Sequence, residues 1–184
     1  MFVTKPCKTR RAWDEPGHAH FLTYSCVHRW PLLSRDRSRQ WVVQALESAR
    51  QHLHLQLWAY VIMPEHVHVV LLPPPDCAMA RVLANLKHSV ATAAHEWLRQ
   101  TNQTDWLRRL TVRYPSRTVF RFWEAGGGFD HNIWHDKPLR VVVDYVHQNP
   151  VRRGLVDHPL DWPWSSARFW DGRHDVPIRM DPIE

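Results

Sequence analysis

The decapeptide Met63-Pro64-Glu65-His66-Val67-His68-Val69-Val70-Leu71-Leu72 places a proline turn directly ahead of a β-branched, apolar run, which is a strand signal. Strand side chains alternate between faces, so His66 and His68 emerge together while Val67, Val69 and Leu71 emerge on the opposite side. Such a strand has one face that must be covered and another that holds two imidazoles side by side. The pair can serve as metal ligands or as a half-exposed polar face, and the motif alone leaves both readings open.

Leu55 to Met63 reads as a preceding strand, and the Pro64-Glu65 turn predicts that the two form a hairpin. Upstream, His20 to Val27 is rich in aromatic and β-branched residues and reads as the first strand. Between them, Ser38 to His52 places Trp41, Val42, Ala45, Leu46 and Ala49 at helical spacing. Pro73-Pro74-Pro75 stops the histidine strand, because proline cannot donate to the ladder. The longest helix is predicted from Cys77 to Arg99. Residues 101–118 show no clean period and read as a loop. Val119 to Trp123 is predicted as the last strand, ended by Gly126-Gly127-Gly128, a flexible joint. From Pro138 onward, Leu139, Val142, Val143 and Val146 form an apolar helical stripe. Pro150 disfavours helical backbone at Asn149, so that helix is predicted to end or kink there.

Strand, helix, strand, strand, helix, strand and a further helix make an α+β chain, a split βαβ sandwich with an antiparallel sheet and a C-terminal helix. The predicted organisation is a basic arm over 1–17, carrying Lys5, Lys8, Arg10 and Arg11, a domain over 18–156, and a Trp-rich tail over 157–184 that packs on or near it.

At 184 residues the chain is long enough for one sizeable core. Its formal charge is +6, and 20 of its 24 cationic side chains are arginine, which binds phosphate in a fork and stacks on flat rings. That balance suits nucleic acid as well as it suits a merely basic protein. Most of the eleven tryptophans belong in the core. Arg29-Trp30, Arg121-Phe122-Trp123 and Arg168-Phe169-Trp170 are the places to look for base-stacking platforms. Cys7, Cys26 and Cys77 are odd in number and lack CxxC spacing, which argues against a disulfide framework or thiolate metal cage and for a reducing compartment. No apolar run reaches membrane-spanning length and the first residues lack a secretion signal's apolar segment, so a cytoplasmic protein with no membrane partner is expected.

In the last helix Tyr145 and Asn149 are four positions apart and share a face, with Arg152 continuing the line. Two imidazoles and one amide oxygen make three protein ligands and leave coordination positions open, as a catalytic metal requires. Nitrogen ligands pull toward zinc, whereas an oxygen ligand and a phosphate substrate pull toward Mg²⁺ or Mn²⁺, the expected ions. A tyrosine nucleophile beside them would form a covalent phosphotyrosyl enzyme, conserving the broken bond for later rejoining.

With Met63-Pro64-Glu65-His66-Val67-His68, with Tyr145-Val146-His147-Gln148-Asn149-Pro150-Val151-Arg152-Arg153-Gly154-Leu155-Val156, and with Asp161-Trp162-Pro163-Trp164-Ser165-Ser166, the chain resembles the REP-associated tyrosine transposases, a branch of the single-tyrosine HUH transposases. Phe122-Trp123-Glu124 followed by Phe129-Asp130 is a looser echo. The resemblance implies a ferredoxin-like HUH fold that nicks and rejoins single-stranded DNA at hairpin-forming repeats through a 5′-phosphotyrosine and a divalent metal, Mg²⁺ or Mn²⁺. It makes His66 and His68 the metal-binding pair, Tyr145 the nucleophile and Asn149 the third ligand. Relatives often carry glutamine at that place, which keeps Gln148 in play. Arg10, Arg11, Lys87, Arg121, Arg152 and Arg153 are candidate phosphate contacts, each equally readable as solvated surface. His131, His135 and His147 read as surface or packing residues. The partner expected is hairpin-bearing single-stranded DNA, and the chain could act as a monomer or a homodimer. The alternative function is a domesticated protein that binds such hairpins without cutting.

Overall fold

The computed structural model describes residues 17–133 and 136–183. The elements run β1 (Ala19–Ser25), α1 (Asp36–Leu53), β2 (Gln56–Ile62), β3 (His66–Leu72), α2 (Met79–Gln100), α3 (Thr104–Arg109), β4 (Thr111–Tyr114), β5 (Arg117–Phe120), β6 (Phe129–Ile133), α4 (Asp136–Arg152) and α5 (Ala167–Trp170). Four strands form one antiparallel sheet in the order β2-β3-β1-β6. With β6 as the fourth sheet strand this is the ferredoxin-like order, and the expected α+β sandwich is what the chain adopts.

The two sheet faces carry different cargo. Leu22 and Tyr24 of β1 and Val67, Val69 and Leu71 of β3 pack under α1 and α2, together with Val42, Leu46, Val82, Leu86 and Val90. On the other face Ala59, Val61 and Val70 pack against Leu139, Val143 and Val146 of α4. His66 and His68 share the face of Val70, so strand alternation puts both imidazoles under α4.

Three expectations need correction. Residues 101–118 are not an irregular loop: they hold α3 and most of a β4–β5 hairpin. Leu110 of this segment is buried with Val27 and Leu98, and Leu107 and Phe120 pack around them. The hairpin contributes no strand to the main sheet, so Val119 to Trp123 is not its last strand. Phe122 and Trp123 are core residues, Trp123 lying edge-on to Tyr24 with ring centroids 4.9 Å apart, and the fourth strand is the polar stretch Phe129–Ile133. Its ladder with β1 supplies what local propensity does not. Finally, Pro150 does not end the last helix, which continues to Arg152. Proline leaves the Val146 carbonyl without its usual donor, but the burial of Leu139, Val143 and Val146 fixes the helix path.

The Gly126-Gly127-Gly128 segment is held rather than loose. Lys87 Nζ donates to the carbonyls of Glu124 (3.0 Å) and Gly126 (2.8 Å). Gly128 has φ +73°, and a Cβ there would lie 2.2 Å from the Thr23 carbonyl oxygen, so only glycine fits.

The residues after α4 run along β2, the edge strand. Ile62 N–H donates to the Trp164 carbonyl, Ser166 N–H to that of Tyr60 and Asp181 N–H to that of Leu57, while Ile178 and Met180 enter the α1/α2 core. A bare strand edge is thereby covered. The proposed arm, with Arg10 and Arg11, falls almost wholly outside the described residues, as does His135. Cys26 and Cys77 are free and buried, and no helix among the described residues is long and apolar enough to cross a membrane.

Candidate metal and nucleophile site

The site forms where the start of β3 meets the last turns of α4. Nε2 of His66 and Nε2 of His68 lie 3.0 Å apart, and both rings are buried. Each ring is oriented from behind. His66 Nδ1 sits 3.2 Å from Oε1 of Glu65, and a carboxylate can only accept there, so the proton is on Nδ1. His68 Nδ1 lies 2.7 Å from the Thr23 hydroxyl, its cross-strand partner on β1. With Nδ1 of His66 engaged as a donor, its Nε2 lone pair faces Nε2 of His68. Two ligands about 2.1 Å from an ion at a right angle are about 3.0 Å apart, so the donor set fits a divalent metal.

Asn149 is buried on the α4 face over the sheet, and its amide hydrogen-bonds to His68, while Nδ2 donates to the Tyr145 carbonyl at 3.4 Å. Gln148 points to solvent. Among the described residues no three His, Cys, Asp or Glu side chains cluster to hold an ion, and the third donor here is an amide. The Glu65 carboxylate lies on the Nδ1 side of His66, as an outer-shell partner does.

Burial pushes the His68 imidazole down to about 3, with His66 adding to the fall and the Asn149 hydrogen bond opposing it. Burial also lowers His66, against the pull of Glu65. Both rings are therefore neutral and ligand-ready at physiological pH. Burial raises the Glu65 carboxyl, but His66 and Arg153 outweigh it and the net shift is downward.

Tyr145 projects from α4 one turn before Asn149. Its ring lies 5.8 Å from His68 and 5.9 Å from Phe21, both edge-on, and the Arg152 guanidinium sits 5.0 Å from its centroid. The side chain is 38% exposed, so one side of the phenol is open to solvent. Phe21 also stacks on His68 at 5.4 Å, walling one side.

The structure thus brings together Tyr145, His66, His68, Asn149, Arg152 and, through Glu65, Arg153. Arg153 Nη1 donates to Glu65 at 2.8 Å, and Arg29 lies 3.9 Å from the same oxygen. Lys87 is engaged by backbone carbonyls, and Arg121 donates to the Tyr114 hydroxyl at the β4–β5 hairpin. His131 is an exposed strand residue. His147 is buried against the Ser166 hydroxyl at 2.8 Å, pushed down to about 4 by burial, and fastens α4 to the tail. Sequence reasoning passed over Glu65, read only as a turn residue, and Thr23 and Phe21, which no local pattern marks. For Glu65 a signal existed: a carboxylate directly before a ligand-type histidine.

Residues 16–149 match the family model described as transposase IS200 like. A Haemophilus influenzae protein bearing the name REP-associated tyrosine transposase is 28% identical over 178 residues, covering 87% of this chain and 96% of its own. The REP-associated tyrosine transposase of Escherichia coli K12 is 27% identical over 148 residues, covering 79% and 71%. A solved REP-associated tyrosine transposase bound to a REP hairpin superposes with a TM-score of 0.71 at 22% identity, over 96% of this chain and 93% of that one, which shows the same fold.

Proposed function

Because the chain belongs to the IS200-like transposase family, we propose that it nicks and rejoins single-stranded DNA beside hairpin-forming repeats, with Tyr145 as the covalent nucleophile. A transposase's DNA-processing role follows from the family; the chemistry that follows is our reading. The observation that carries it is the phenol ring of Tyr145 beside His68, exposed on one side and flanked by Arg152.

In this mechanism Tyr145 Oη bonds to the phosphorus of the scissile phosphodiester and gives its proton to water. The P–O3′ bond breaks, its electron pair stays on O3′, and that oxygen takes up a proton to become a free 3′ hydroxyl. The DNA 5′ end remains as a phosphotyrosine. Attack by another strand's 3′ hydroxyl reverses these events and restores the phenol, so joining needs no external energy source. His66, His68 and Asn149 would hold Mg²⁺ or Mn²⁺; Asn149 rather than Gln148 is favoured by its burial against His68. Bound there, the ion supplies positive charge for a non-bridging phosphate oxygen as negative charge gathers on it. Glu65 and Thr23 keep both Nε2 atoms turned inward. Arg152 and Arg153 sit at the same end of α4 and would contact flanking phosphates, with Lys87 and Arg121 contributing more remotely; Arg10 and Arg11, outside the described residues, are retained as contacts on their charge alone. The hairpin as partner is supported by the solved neighbour, which is bound to a REP hairpin.

The test is a labelled hairpin oligonucleotide incubated with Mn²⁺ and run on a denaturing gel. A protein–DNA adduct is expected, and Tyr145→Phe should abolish it. An adduct of undiminished yield in Tyr145→Phe overturns the assignment. Hairpin binding with no cleavage under any divalent ion would instead identify a domesticated binding protein.

A further inference from the structure

Next to the turn that precedes His66 lies a second concavity of about 360 Å³, roofed by α1 on one side and the end of α2 and α3 on the other. Trp41, Trp97, Trp106 and Phe122 contribute to its walls, with Arg35 and Arg37 at α1's start. Its volume is in the range of small-ligand sites. No aspartate or glutamate lines it, and among the described residues neither Arg35 nor Arg37 is ion-paired. The Arg37 guanidinium lies 3.7 Å from the Trp97 ring centroid, which fixes the plane of its N–H donors. Trp106 is 38% exposed. Flat apolar faces beside guanidiniums that meet no carboxylate among the described residues are the chemistry of a base with its phosphate.

The cavity and the Tyr145 site are joined along one segment. Arg29 lies 3.9 Å from Glu65, and Pro31, Leu32, Ser34 and Arg35 line the cavity. Cys26 N–H donates to the Glu65 carbonyl (2.8 Å) and Leu33 N–H to the Pro64 carbonyl (2.9 Å), pinning this segment to the histidine turn. Arg29 and Arg35, six positions apart, are separated by at most about 20 Å. The cavity on the α1/α2 face therefore lies within a few nucleotides of the Glu65 end of the site, and a strand would pass round the histidine turn to reach Tyr145 on the α4 face.

The geometry points to this cavity as a second DNA subsite, in which an unpaired nucleotide flanking the scissile phosphate stacks among Trp41, Trp97 and Trp106 while Arg35 and Arg37 hold its phosphate. The inference rests on the single-strand cutting activity proposed above and locates the grip on the substrate at a distance from the nucleophile. It also assigns the α3 segment a role, since Trp106 comes from it.

The test uses the full chain without added divalent ion, a fluorescein-labelled oligothymidylate and, as control, a blunt duplex. Base stacking on an aromatic is worth about five- to a hundredfold in affinity per base. Trp106→Ala and Arg37→Ala should each weaken oligothymidylate binding at least about fivefold, with duplex affinity changed less than about twofold, and added oligothymidylate should quench tryptophan fluorescence. Both residues are solvent-facing, and unchanged thermal melting will show that the variants fold; should Trp106→Ala melt early, Arg37→Ala decides. Unaltered oligothymidylate binding in the folded variants, or an equal loss for duplex, overturns the subsite. Persistence of the Tyr145 adduct in that case leaves the cutting function standing. Loss of the adduct assay with weakened variant binding condemns the function and spares the subsite.

Discussion

Glu65 and Arg153 are 88 positions apart in the chain and are joined by a 2.8 Å charged hydrogen bond. The Glu65 oxygen that accepts it is also the one facing His66 Nδ1. One carboxylate therefore fixes both the ring of a metal-type histidine and the end of the helix that carries Tyr145 and Asn149.

Glu65→Gln keeps the volume but weakens the grip on His66 Nδ1–H. Outer-shell partners of this type are worth about 10- to 100-fold in metal affinity. Calorimetric titration with Mn²⁺ should show a loss of that order, with the melting temperature little changed. Affinity equal to that of the unaltered chain would refute a positioning role for Glu65.

Chelation with EDTA, and separately His68→Ala, should each abolish adduct formation. Hairpin binding, measured by anisotropy, should fall much less, because phosphate contacts from arginine dominate nucleic-acid affinity. Adduct formed at full rate in EDTA would remove the metal from the mechanism.

Arg152→Gln should slow adduct formation by about two- to fivefold, the size of an exposed cation–aromatic contact of roughly 0.5–1 kcal/mol, without touching Mn²⁺ affinity. The guanidinium lies 5.0 Å from the centroid of the Tyr145 ring. Single-turnover kinetics would read the rate, and an unchanged value would leave Arg152 as bystander.

Gly128→Ala should cost about 3 kcal/mol or more in stability, since its φ of +73° and a Cβ only 2.2 Å from the Thr23 carbonyl oxygen both oppose a side chain. Gly154→Ala, also at positive φ but with nothing within 4 Å, should cost about 1 kcal/mol. Urea unfolding of the two variants would give the difference. Equal costs would mean that the contact with Thr23 relaxes freely.

Ser166→Ala should destabilise by about 1–3 kcal/mol, because the Ser166 hydroxyl accepts the buried Tyr60 N–H at 2.9 Å and faces His147 at 2.8 Å. Faster amide exchange confined to β2 would mark loosening of the tail along the sheet edge, whereas exchange unchanged there would show that the tail's backbone bonds suffice.

Periodicity and residue chemistry determined much of this protein. Alternation along β3 put His66 and His68 on one face, helical spacing put Tyr145 and Asn149 on another, and the apolar stripes named the helices that cover the sheet. These are local properties of the chain, carried by a few bonds of backbone geometry. Only the tertiary structure decided which strand completes the sheet, because Phe129–Ile133 has no apolar pattern and is a strand by virtue of its ladder with β1. Tertiary packing likewise carried α4 through Pro150, chose Asn149 over Gln148 as the amide turned toward His68, and set Glu65, Thr23 and Arg153 behind the imidazoles. Those outcomes depend on contacts between residues tens of positions apart, whose energies exist only once the sheet and its two layers have closed.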